Sequence, residues 1–177
     1  MIQRGLFGGA ITAQTLEDLV DASDLRQVPD TQEVFMYPQS GESIIIEILQ
    51  KVELSDPEDA IKFHFDSLAH DNSAQSFQVD SVVVSSAHTR EDRTPTPICL
   101  KGLQMVPKFN QVTPDKVLIF MALFRVETKD IDLVVTFNVP IESIDGGATD
   151  AAGELRAEQD FNTFVQSLRI LDFHLFA

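Results

Sequence analysis

The sequence predicts an α+β sandwich: a largely antiparallel sheet of about six strands with helices packed on both of its faces. Three observations carry that expectation. Short runs of β-branched and aromatic residues recur along the chain, separated mostly by turn-forming stretches. Two of those runs are apolar on both faces, so they belong inside a covered sheet. Two further stretches repeat apolar residues at helical spacing and can supply the cover. No internal repeat or linker interrupts the pattern, and the 177 residues are expected to form one domain, 1–177, burying about two-thirds of the unfolded surface.

In chain order, residues 5–13 read as a first strand, with Gly8-Gly9 placed for a bulge or a close backbone approach. A phosphate cradle is disfavoured there, because no Gly-Lys-Ser/Thr follows. Residues 15–26 are acidic and irregular, with room for a short helical turn around Ser23-Asp24. Residues 32–37 and 43–52 read as strands joined by Pro38-Gln39-Ser40-Gly41-Glu42. In the second strand Ile44, Ile46 and Ile48 share one face, while Ile45, Glu47 and Leu49 share the other.

Ser55-Asp56-Pro57-Glu58 signals a helix start: Ser55 and Glu58 have capping-box spacing, and Pro57 suits the first turn. Ile61, Phe65 and Leu68 carry the helical spacing on to Asn72. Residues 77–89 are strand-like through Val79, Val82, Val83 and Val84, and 90–97 is a polar, proline-bearing loop. Residues 98–106 form another strand, in which Lys101 and Gln104 suggest partial exposure. The most buried strand is 116–127, with Val117, Ile119, Met121 and Leu123 on one face and Leu118, Phe120, Ala122 and Phe124 on the other. Its hairpin partner is 130–139. Residues 141–154, with three glycines and several acids, read as a mobile loop, and a final helix runs from Arg156 through Phe161, Phe164, Val165 and Leu168. The apolar end, 170–176, is extended and must dock.

Charge narrows the partners. The chain has 13 basic and 28 acidic residues, a net charge of −15. Such a field repels nucleic acid and anionic membranes, and it favours a basic protein partner through long-range steering. Arg90 and Arg93 make no basic patch, being interrupted by Glu91 and Asp92. The single cysteine, Cys99, between Ile98 and Leu100, allows no intrachain disulfide and reads as a strand residue in a reducing compartment. No secretion signal is recognisable, and the longest apolar run, 117–124, is far too short to span a bilayer.

The stretch richest in polar side chains of fixed spacing is 21–35. Leu25 and Val28 can anchor it to the core. Pro29 fixes its own φ and pushes Val28 toward an extended backbone, so no helix continues here. Asp30 and Glu33 then stand on a rigid turn at the mouth of a strand. By themselves these residues fit either a solvated turn or a binding surface.

Leu6-Phe7-Gly8-Gly9-Ala10-Ile11 followed by Asp21-x-Ser23-x-Leu25-Arg26-x-Val28-Pro29-Asp30-x-Gln32-Glu33-Val34-Phe35 resembles the Mog family of Ran guanine nucleotide release factors. Fainter echoes are Phe63-His64-Phe65-Asp66, Thr136-Phe137-Asn138-Val139-Pro140 and Leu175-Phe176, so the resemblance spans nearly the whole chain. It departs from the family pattern before the Asp-x-Ser element, where residues 15–20 lack the usual proline. The resemblance implies the same sandwich, shared with the photosystem extrinsic protein PsbP. It also implies Ran as partner, release of its guanine nucleotide, a role in nuclear protein import, and a nuclear location with a cytoplasmic share. Its binding surface carries over to Asp30 and Glu33 first, with Asp24, Arg26, Pro29 and Gln32 as matching neighbours. A monomer with no cofactor and no metal is expected.

An enzyme reading finds little support. The chain has no Gly-x-Ser-x-Gly elbow and no His-Glu-x-x-His, and His64 and His70 are six apart, off a common helix face. The remaining option is Asp30 with Glu33 as an acid–base pair, which needs one carboxyl held neutral by burial. A general adaptor or trafficking chaperone is the alternative binding role.

Overall fold

The structure is a computed structural model and describes residues 1–85 and 90–177. Its elements are β1 (Ile2–Leu6), β2 (Ile11–Thr15), β3 (Val20–Asp21), β4 (Gln32–Met36), β5 (Ser43–Gln50), α1 (Pro57–Asp71), β6 (Ser76–Val84), β7 (Ile98–Val106), β8 (Asp115–Val126), β9 (Ile131–Glu142), α2 (Ala151–Ser167) and β10 (Arg169–Ile170). The main sheet has seven strands in the order β3-β4-β5-β9-β8-β7-β6, one more than expected. Every neighbouring pair in it is antiparallel. A second, three-stranded sheet, β1-β2-β10, was not anticipated. The strand-like reading of 77–89 holds as far as Val84, and residues 86–89 lie outside the described residues.

Both faces of the main sheet are covered, and the alternation along β8 says with what. Leu118, Phe120, Ala122 and Phe124 share a core with Phe161, Phe164 and Val165 of α2 and with Leu6, Ile11 and Ala13 of the small sheet. Val117, Ile119, Met121 and Leu123 share a second core with Ala60, Ile61 and Phe65 of α1. Period-two alternation in the strand thus serves two helical cores at once. The β8–β9 hairpin closes through Asp130 in the left-handed region (φ 56°).

Four local expectations are corrected. Residues 5–13 are not one strand: β1 and β2 form a hairpin, Leu6 opposite Ile11, around a 3-10 turn at Phe7–Gly9. The α1 cap is Asp56 rather than Ser55, and its carboxylate accepts from the N–H groups of Glu58 (2.9 Å) and Asp59 (3.1 Å). Pro57 decides this, since the residue before a proline is driven out of helical conformation into the extended one a cap requires.

Helix α2 begins at Ala151, inside the stretch read as a mobile loop; Asp150 caps it by accepting from Gly153 N–H at 2.8 Å. Gly153 is there for space, because a Cβ would lie 2.2 Å from Thr149 Cγ2. Gln104 is fully buried, contrary to the reading of partial exposure, and its amide accepts from Asn72 Nδ2 (3.0 Å) under α1.

The β4–β5 connection is locked to α2. Buried Glu42 receives two hydrogen bonds from Arg156 Nη2 (2.6 and 2.8 Å) and one from Thr149 Oγ1 (2.6 Å). At the other end of β5, Ile48 N–H donates to Thr31 O (2.9 Å), which ties the polar turn before β4 to the sheet. The apolar C-terminus docks as expected, with β10 pairing with β2 and Phe176 buried in the α2-side core. It is not extended throughout: Phe173–Phe176 form a 3-10 turn capped by Asp172, whose carboxylate accepts from His174 N–H at 2.9 Å.

A candidate docking surface at the polar turn

The approach to β4 is built by local hydrogen bonds. Asp21 Oδ1 accepts from Ser23 N (2.8 Å) and Ser23 Oγ (2.6 Å), capping a 3-10 turn over Ala22–Asp24. Leu25 and Arg26 N–H both donate to Ala22 O, at 3.0 and 2.9 Å. The fully buried side chain here is Ala22, whereas Leu25 is 69% exposed. The anchoring role expected of Leu25 therefore belongs to Ala22, and only Val28 of the expected pair is partly buried. Gln32 N–H donates to Pro29 O (2.9 Å), closing the turn that holds Asp30 and Thr31 at its corner.

Beyond the turn, β4 divides its side chains. Gln32 Nε2 donates to Glu47 Oε1 of β5 at 2.6 Å. Glu33 points the other way, toward the small sheet, and its Oε1 accepts the Phe7 N–H at 2.5 Å. A concavity of about 350 Å³ opens between these parts, with Phe7, Val28 and Leu175 as apolar wall and Asp21, Asp30 and Glu33 as acidic lining. Asp30 is exposed, and Glu33 is partly buried. Burial pushes the Glu33 carboxyl above the usual carboxylate range; the Phe7 N–H works against that shift and the nearby Asp21 charge adds to it.

Of the six residues expected at the site, Pro29, Asp30, Gln32 and Glu33 line the concavity together. Asp24 and Arg26 lie outside it, exposed on the neighbouring turn. Phe7 and Leu175 were missed, although the glycine pair after Phe7 and the apolar end that had to dock both hinted at special use. An acid–base pair buried in an apolar pocket is not what the two carboxylates form, since Asp30 faces solvent. The arrangement suits holding a cationic group. Among the described residues no cluster of three or more His, Cys, Asp or Glu side chains could hold a metal ion, and no helix is long and apolar enough to cross a membrane.

Fold and surface together define an antiparallel α+β sandwich with an acidic concavity framed by its two sheets. Residues 4–140 match the family described as Ran-interacting Mog1 protein, and the chain belongs to that family. It is 36% identical over 185 residues to a Ran guanine nucleotide release factor of Danio rerio, covering 99% of this chain and 100% of that one. To the nuclear import protein MOG1 of Saccharomyces cerevisiae it is 31% identical over 192 residues, covering 97% and 83%. The crystal structure of the Saccharomyces cerevisiae Ran-binding protein Mog1p superposes with a TM-score of 0.77 at 26% identity, covering 99% of this chain and 98% of that one.

Proposed function

We propose that this chain binds the GTPase Ran, promotes release of its guanine nucleotide and so serves nuclear protein import, working in the nucleus with a cytoplasmic share. The observation that carries the reading is the acidic concavity at the family motif, lined by Asp30 and Glu33 together with Pro29 and Gln32, with Asp24 and Arg26 exposed beside it. The names of its relatives, a Ran guanine nucleotide release factor and a nuclear import protein, support it. The action is binding rather than bond chemistry. A protein that prefers nucleotide-free Ran to loaded Ran by some factor weakens nucleotide binding by that same factor.

GTPases of this type hold nucleotide through a lysine of the phosphate-binding loop and a magnesium ion. An exposed carboxylate on a hydrogen-bonded turn can compete for that lysine, or for another basic group beside it, with little backbone ordering left to lose. The test is release of a fluorescent nucleotide from purified Ran, with and without this protein. The wild type accelerates release, Asp30→Ala loses most of the acceleration, and Asp66→Ala, an exposed acid on α1, keeps it. Equal release with and without the wild-type protein defeats the reading.

A further inference from the structure

The turn that faces the acidic residues is made of three consecutive residues in the left-handed region: Phe7 (φ 49°), Gly8 (φ 66°) and Gly9 (φ 90°). Glycine adopts this conformation freely, but phenylalanine does so at a cost and only where its surroundings hold it. The surroundings are identifiable. Phe7 N–H is bound by Glu33 Oε1 at 2.5 Å. On the exit side, Ala10 O accepts from Leu171 N–H (2.8 Å) and Asp172 N–H (3.1 Å), which fastens the turn to the C-terminal segment. The outer side of the turn is bare: Gly8 and Gly9 are exposed, and a Cβ built on either would meet nothing within 4 Å.

We propose that Glu33 is a positioning residue: by clasping the Phe7 N–H it fixes Phe7 as a wall of the concavity and holds the exposed Gly8-Gly9 pair at its rim, against which the partner docks, while Asp30 supplies the free charge. The proposal rests on the Ran reading above and assigns different work to the two carboxylates. Geometry separates them, since Asp30 is exposed on its corner whereas Glu33 is partly buried with an oxygen already committed to a backbone donor. Burial pushes the Glu33 carboxyl upward, which marks its charge as costly to keep there, so glutamine relieves that cost while keeping an acceptor oxygen. A glycine pair at a bare turn is also suited to close approach by another backbone.

The experiment compares Glu33→Ala, Glu33→Gln and Asp30→Asn by Ran affinity in titration calorimetry and by the ¹H–¹⁵N resonances of Phe7, Gly8 and Gly9. Glutamine keeps an oxygen that can accept from Phe7 N–H but carries no charge. Glu33→Ala is expected to weaken binding by about tenfold, the scale of one lost hydrogen bond to a charged group, and to displace all three amide resonances. Glu33→Gln is expected to rescue binding to within about threefold of wild type and to return the resonances toward their places. Asp30→Asn is expected to weaken binding with the resonances unmoved.

Positioning is overturned if Glu33→Gln binds as poorly as Glu33→Ala, or if Glu33→Ala leaves the turn's resonances in place. Unchanged affinity in Glu33→Ala removes the turn from the docking surface. Absence of Ran binding by the wild type is a separate failure: it defeats the functional reading and the docking role with it, while the amide resonances still decide whether Glu33 holds the turn.

Discussion

Asp132, wholly buried on β9, ties its hairpin partner β8 to two segments distant in sequence, the stretch just after β5 and helix α1. Its Oδ2 meets His64 Nε2 of α1 at 2.8 Å and accepts Val52 N–H at 3.1 Å, while its Oδ1 accepts from Arg125 Nε at 3.1 Å. Burial alone would raise its pKa, but His64, the Val52 N–H and Arg125 together outweigh that and hold it below the usual carboxylate range. Asp132→Ala leaves Arg125 without its buried partner and is expected to cost about 3–5 kcal/mol, read from urea midpoints. The sign of the pH effect follows from the lowered pKa. The charge contributes fully above the unfolded value of about 3.9, and its contribution fades as pH falls through the lower folded value. Asp132→Asn should therefore show a shallower fall in Tm than wild type between about pH 4 and about pH 2, and an equally steep fall would remove Asp132 from the acid limb.

Cys99 is a second residue-scale case. Burial pushes its thiol up to about 11, so the thiolate that reacts with alkylating agents is scarce at neutral pH. Native protein should be alkylated far more slowly than protein in denaturant. Cys99→Ala should lose only about 1 kcal/mol and keep Ran binding. A folded Cys99→Ala protein without release activity would show the structural reading of this thiol to be wrong.

At the scale of elements, the approach of α1 to the main sheet depends on Gly102 in β7. A Cβ there would lie 2.7 Å from Gln78 O and 2.8 Å from Phe65 Cζ. The carbonyl belongs to the neighbouring strand β6, which pairs with β7 at this point, so it cannot retreat without disturbing the ladder. Gly102→Ala should destabilise by about 1–3 kcal/mol as overpacking does, and an unchanged urea midpoint would mean that both the β6 carbonyl and Phe65 of α1 give way freely. Helix α2 makes the complementary point about its cap. Asp150→Ala removes the acceptor for Gly153 N–H and should lower stability by about 1 kcal/mol while leaving the distant acidic concavity intact, so Tm falls and Ran affinity holds.

For the whole molecule the governing quantity is the net charge of −15. Two oppositely charged surfaces meet faster than neutral ones, and salt screens the effect over about 10 Å at 0.1 M. The association rate with Ran should fall as ionic strength rises from low to physiological values, with a much smaller change in dissociation. An association rate indifferent to salt would confine the acidic surplus to solubility. This test is independent of the Glu33 variants, because it concerns the field of the whole chain rather than one contact.

What the sequence determined by itself was whatever is encoded in local periodicity and turn chemistry. The double alternation along 117–124 announced a strand buried on both faces, and Ile61, Phe65 and Leu68 announced the helix over one of them. Pro29 announced the turn that carries Asp30. Such patterns state which side of an element is apolar, and that suffices to predict layers. They do not state which distant segment fills a given face. Nothing local says that Ile170 pairs with Ile11, that Leu175 walls the same concavity as Val28, or that Glu33 reaches back across the fold to Phe7. Nor could local pattern show that small Ala22, rather than larger Leu25, is the buried anchor. Those choices belong to tertiary structure, because close packing of segments far apart in the chain decides which side chains fit, and hydrogen bonds to buried backbone groups then fix what remains.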